Sequence, residues 1–107
     1  MKQKTYFTEH ELAVQEKLSI MIDIMIGITN LSYYECYKIL EDTYTVKKLH
    51  DNNFSIMHDS PQANLSDIGK ELRSRGLKIG EKITDDNIIR YTWQTRKRNL
   101  KIRQEQQ

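Results

Sequence analysis

Residues 18–28 read Leu18-Ser19-Ile20-Met21-Ile22-Asp23-Ile24-Met25-Ile26-Gly27-Ile28, the most apolar stretch of the chain, and its conformation decides the fold. Isoleucine recurs at every second position from Ile20 to Ile28, as in a strand. The positions between are largely apolar too, so periodicity alone does not separate a buried strand from a buried helix. What precedes the stretch favours the helix. Thr8-Glu9-His10-Glu11 fits the capping box, in which a hydroxyl and a third-position carboxylate satisfy each other's unpaired backbone donors. Phe7 and Leu12 stand where a hydrophobic staple would join the entering chain to the first turn. Cap and length together predict a helix over about 9–29. The stretch has 11 residues and contains Asp23, against about 20 apolar residues for a membrane span, so it is read as core. An acidic run precedes it in place of a short basic leader, and no small-residue cleavage site follows it.

Downstream, Ser32-Tyr33-Tyr34-Glu35 repeats the capping box, with Leu31 and Cys36 as the staple, and predicts a second helix over about 33–43. Val46-Lys47-Lys48-Leu49 fits a short helical turn before the turn-forming Asp51-Asn52-Asn53, and Phe54-Ser55-Ile56-Met57 is a brief apolar piece. Ser60-Pro61 places an N-cap before a proline at the first helical position, where its missing N–H costs nothing. Leu65, Ile68 and Leu72 then follow at helical spacing, and Gly76 stands where a left-handed C-terminal cap is expected, giving a helix over about 61–75. Residues 77–83 alternate apolar and polar around Gly80-Glu81, as a minimal β-hairpin or an extended connector would. Thr84 caps the last helix, Asp85 and Asp86 suit its dipole, and Ile88, Ile89, Thr92 and Trp93 supply its apolar stripe. The expected fold is mainly α, a small domain of about four helices over 1–93, with 94–107 as a basic helical extension or tail.

Composition agrees with that plan. The chain has 107 residues, and its hydrophobic fraction is 37%. Four glycines raise this to about 41%, below the roughly 45–50% usual for globular chains. Such a length fits one small domain and excludes a doubly wound nucleotide fold or a (β/α) barrel. A single cysteine, Cys36, forms no internal disulfide, which points to a reducing, cytoplasmic setting. The formal charge of +2 is unevenly spread: residues 76–107 hold eight basic and four acidic side chains, and residues 1–75 lean acidic by two.

The basic excess names the first candidate site. Arg96, Lys97, Arg98, Lys101 and Arg103, with Arg90 upstream, have no acid among them. On a helix Arg90, Lys97 and Lys101 fall roughly together and Arg96 and Arg103 form a neighbouring row, a face able to neutralise phosphates without reading sequence. The bland alternative is a solvated helix end suited to the dipole. The order helix, connector, helix at 61–105 is that of a helix-turn-helix, but the residues that would meet base edges are Asp85, Asp86 and Asn87, and carboxylates do not suit a negative groove.

Tyr33, Tyr34 and Tyr37 on the second helix are candidate anchors for a protein partner, or else core-bordering aromatics with wet hydroxyls. His50-Asp51 and His58-Asp59 match no zinc spacing and are read as turn formers with His58 partly buried. No nucleophile elbow, P-loop or glycine-rich phosphate fingerprint is present. No catalytic residue, metal, cofactor, membrane or small-molecule substrate is therefore expected. The expected role is non-enzymatic: a small regulatory or accessory protein that binds nucleic acid through the last helix. The alternative is an inhibitor or antitoxin-like module that docks a partner through its helical body, and a homodimer through residues 18–28 is a third reading.

Two resemblances bear on this. Within residues 30–72, Leu31, Ser32, Glu35, Tyr37, Leu40, Thr43, Leu49, Met57, His58, Asp67, Ile68 and Leu72 form a pattern that resembles a family of small uncharacterised bacterial helical domains associated with toxin and antitoxin neighbourhoods. That resemblance implies a bacterial or mobile-element origin and a protein partner, with no catalytic residue. Residues 83–95, ITDDNIIRYTWQT, are similar to the arginine box of tyrosine recombinases. Asn87 stands where that box has its histidine, and no tyrosine follows Tyr91, so a working recombinase is excluded and only a contact of Arg90 with DNA phosphate is implied.

Overall fold

Thr8 opens the first helix as its sequence requires: its hydroxyl accepts from the Glu11 N–H at 3.1 Å, and the Glu11 carboxylate accepts from the Thr8 N–H at 2.7 Å. The computed structural model describes residues 8–51 and 57–105. Phe7 of the expected staple, the Asn52-Asn53 turn and Phe54 to Ile56 lie outside the described residues. Among the described residues there are five α-helices and no strand. They are α1 (Glu9–Thr29), α2 (Tyr33–Glu41), α3 (Tyr44–His50), α4 (Pro61–Ser74) and α5 (Asp85–Glu105), with a 3-10 turn at Lys78–Glu81.

The ambiguous apolar run is helix, and it forms the centre of the core. Leu18, Met21, Ile22, Ile24 and Met25 are buried, whereas Ile20 is largely exposed. The i, i+3, i+4 spacing therefore selects the inward residues, and the every-second-residue isoleucines are divided between core and surface. Around α1 pack Cys36 and Leu40 of α2, Val46 and Leu49 of α3, Leu65, Ile68 and Leu72 of α4, and Ile88 of α5. Asn30 closes α1 in the left-handed conformation at φ 61°, which a short polar side chain tolerates.

Helix α2 ends two residues earlier than the cap and pattern predict, and the expected turn at 46–49 is a helix over Tyr44–His50. Thr43 is the reason. Its buried hydroxyl donates to the Leu40 carbonyl at 2.7 Å and accepts from the Val46 N–H at 3.3 Å, so one side chain ends α2 and caps α3. The Glu71 carboxylate of α4 also accepts from the Tyr44 N–H, with both oxygens at 3.0 Å. Arg75 joins Glu71 to Asp42, and that hydrogen bond holds the Asp42 carboxyl below the usual carboxylate range.

The hairpin expected at 77–83 is absent; a 3-10 turn replaces it. Gly76, at φ 76°, completes a Schellman motif in which the Leu77 N–H reaches the Leu72 carbonyl and the Gly76 N–H the Arg73 carbonyl, both at 3.0 Å. The chain is thus turned back along α4, where the Arg73 guanidinium donates to the carbonyls of Gly80 at 2.7 Å and Ile83 at 2.9 Å. Those carbonyls take their partners from α4, so residues 77–83 need no facing strand. His58, expected to be partly buried, is exposed.

The two capping boxes carry a pH prediction. Hydrogen bonds from the Thr8 and Ser32 backbone and side chains hold the Glu11 and Glu35 carboxyls below their ordinary 4.5. A carboxylate whose value is lowered by folding contributes stability above its ordinary value and gives it up as pH falls through the lowered one. Melting temperature is expected to decline on acidification below about pH 4.5, and a Glu11→Gln, Glu35→Gln variant, which keeps the box geometry without the titration, should decline less steeply. Circular dichroism melts of both proteins across the acid range check this, and parallel curves would remove the caps as its source.

Candidate nucleic-acid interface

Helix α5 begins as its composition dictates. Thr84 caps it by accepting from the Asn87 N–H at 3.3 Å, and the Asp85 carboxylate accepts from the Ser66 hydroxyl at 2.7 Å. The Asn87 side chain is committed to the connector, donating to the Lys82 carbonyl at 2.8 Å. The first turn therefore presents two carboxylates, of which Asp85 is already bonded to Ser66, and an amide already engaged within the fold.

From there α5 runs antiparallel to α1, with Tyr91 against Gly27 and Thr95 beside Asp23. It continues without a break across residues 93 and 94 to Glu105. The face it buries differs from the expected stripe: Ile88 is buried and Tyr91, Thr92 and Thr95 are half-buried, whereas Ile89 and Trp93 are 66% and 58% exposed. Gly27 supplies the reason. A Cβ there would lie 2.6 Å from the Tyr91 ring, so the missing side chain makes the seat that holds Tyr91, and seating Tyr91 turns Ile89 and Trp93 outward. Leu100, one turn pair beyond Trp93, is 54% exposed.

All six expected cationic residues, Arg90, Arg96, Lys97, Arg98, Lys101 and Arg103, are exposed. Among the described residues none of the six forms an ion pair with a carboxylate within 4.0 Å. Arg90, Lys97 and Lys101 lie on the side turned away from the Ile88 and Tyr91 row by helical angle, with Arg96 and Arg103 at the edge of that side. Arg98 does not: it borders a small pocket with Asp23, Gly27 and Tyr91, on the α1 side. Arg96 stands at the border, lining a second pocket with Ile20 and Gln62 while its row neighbours Trp93. The exposure of Trp93 was hidden in the sequence, where its spacing from Ile89 matched a buried stripe as well as an outward one.

The tyrosines lie on α2, with Tyr33 and Tyr37 on one face and Tyr34 pointing elsewhere. Tyr33, Tyr34 and Tyr37 are exposed, and the Lys38 ammonium stands 5.4 Å from the Tyr34 ring centre. Tyr37 borders an open groove of about 770 Å³ with Ile39, Leu72, Leu77 and Ile79. Sequence reasoning missed Leu77 and Ile79 as neighbours of Tyr37, because only the return of the chain after Gly76 brings them there. It also missed Tyr44, exposed with the Lys48 ammonium 4.3 Å over its ring, for which the i, i+4 spacing was a signal.

The His-Asp pairs do not converge: His50 pairs with Glu41 at 2.8 Å, and among the described residues no group of three or more metal-ligating side chains gathers. Burial pushes the Cys36 thiol up, which keeps it protonated beside Thr29. No helix among the described residues is long and apolar enough to cross a membrane. Most residues of the 30–72 pattern are caps or core: Ser32, Glu35 and Thr43 close helix ends, and Leu40, Leu49, Ile68 and Leu72 are buried. Comparison with protein-family models, with curated proteins and with solved structures finds no match for the chain.

Proposed function

We propose that this chain is a non-enzymatic accessory protein, of a bacterium or mobile element, that binds nucleic acid through the outer face of α5. The observation that carries the reading is a helix face with five exposed cations, Arg90, Arg96, Lys97, Lys101 and Arg103, unpaired with any acid among the described residues. Unpaired cations gain by replacing the condensed counterions of a phosphate backbone, and this attraction needs no base-specific contact. The carboxylates at the start of α5 argue for contact along the helix side instead of insertion of its N-terminus into a groove. A fluorescence-anisotropy titration of the full chain against labelled DNA and RNA at low salt tests the reading. Micromolar binding is expected, and no binding to any of them refutes it.

A second reading, docking of a partner protein through the helical body, is favoured by one observation. The exposed Tyr37, on the helix that also carries exposed Tyr33 and Tyr34, lines the apolar groove of Ile39, Leu72, Leu77 and Ile79. Retention of a partner in a pull-down after nuclease treatment supports this reading, and loss of the partner on nuclease treatment supports the first.

A further inference from the structure

Nothing in the electrostatic argument requires the one tryptophan of the chain to stand among its cations, yet it does. Trp93 is 58% exposed, and its neighbours three and four residues away on the helix are Ile89, Arg90, Arg96 and Lys97, all exposed. Leu100 extends the apolar row by two turns. No acid occurs between Asp86 and Glu105. From Arg90 to Arg103 the face is about 20 Å long at the helical rise of about 1.5 Å per residue.

A stacked duplex gives this row nothing to hold, because its base faces are covered by one another and an indole on a convex helix would remain in water between phosphates. Entering the stack would require unstacking a base step, a cost that opposes binding. An unpaired strand offers both parts at once: phosphates for the arginines and lysines, and open base faces for the indole. Base-on-aromatic stacking beside a cationic track is how sequence-tolerant single-strand binding gains affinity. We infer that α5 binds single-stranded nucleic acid, with Trp93 stacking on an unpaired base while Arg90, Arg96 and Lys97 hold the flanking phosphates. The inference rests on the nucleic-acid reading above and narrows it to unpaired strands.

The test uses the full chain and its one indole. Trp93 emission, excited where tyrosine does not absorb, is followed during titration with oligo-dT, oligo-rU and a DNA duplex of equal phosphate content at low salt, with anisotropy of the labelled nucleic acids in parallel. The expected result is quenching of Trp93 by a single strand but not by the duplex, with the strand bound about tenfold or more tightly than the duplex. Quenching by oligo-dT alone, by oligo-rU alone or by both supports the inference and assigns the sugar. Trp93→Ala should lose about tenfold of strand affinity and leave duplex affinity unchanged, and Trp93→Phe should keep most of it. Because Trp93 lies outside the core cluster, both variants are expected to fold, with circular dichroism as the check. Equal binding of strand and duplex with unchanged Trp93 emission overturns the stacking inference and leaves electrostatic binding standing. Absence of binding to all three overturns both.

Discussion

Gly69→Ala is expected to destabilise the protein by about 3 kcal/mol, at the upper end of overpacking costs, and so to lower its melting temperature by roughly 10 °C or more. A Cβ at Gly69 would sit 2.2 Å from the Ile83 backbone carbonyl and 3.2 Å from the Ile83 side chain and from Arg73 Nη1. Neither side of that contact yields easily. Gly69 is inside α4, and the Ile83 carbonyl is fixed by its bond from Arg73 at 2.9 Å. Gly80 meets α4 in the same way: a Cβ there would lie 2.6 Å from the Arg73 amide nitrogen. The connector therefore lies on α4 backbone to backbone, and any side chain at these points must separate them. Gly76→Ala is the informative contrast. It has nothing within 4 Å of its Cβ but holds φ 76°, so only the left-handed conformation is penalised, at about 1–2 kcal/mol. Equal losses for the two variants in thermal or urea melts would deny the close approach its role.

The second large effect concerns binding. Replacing Arg90, Arg96, Lys97, Lys101 and Arg103 by Gln, with Arg98 kept because it borders the Gly27 seat of Tyr91, removes the cations proposed to meet phosphate. With about five phosphate contacts, log affinity of the parent for duplex DNA should fall with log salt at a slope near −4 to −5. Raising salt from about 50 to about 200 mM then weakens binding roughly 500-fold. The variant should lose most of its low-salt affinity and show a slope near zero. Its melting curve should change little, since glutamine is a good helix former and surface substitutions of this kind stay within about 0.5 kcal/mol. A variant that binds as the parent does, with the same slope, would place the contact elsewhere on the molecule.

Much of the fold was legible in local chemistry. Thr8, Ser32, Ser60 and Thr84 all cap the helices their neighbours predict, and Gly76 takes the left-handed cap position. These features are decided within four or five residues, because a cap bonds the first turn of its own helix. Thr43 shows the limit of such reading. Its hydroxyl serves two helices at once, and a pattern that assigns it to the end of α2 merges α3 into a turn.

The site was legible in part for the same reason. A run of arginine and lysine without acid is visible in any linear reading, and its exposure follows from the cost of burying charge. The orientation of α5 was not visible, since Ile88 with Thr92 and Ile89 with Trp93 are adjacent rows of one helix and either row fits a core. By itself, the sequence determined the helical class, the starts of α1, α2, α4 and α5 and the run of basic residues, all of them local or charge-driven properties. The tertiary structure alone decided that residues 77–83 turn without a strand, that Gly27 seats Tyr91, and that Trp93 faces outward among the cations. Each of these depends on how closely two distant backbones approach, and that distance is set by packing across the core.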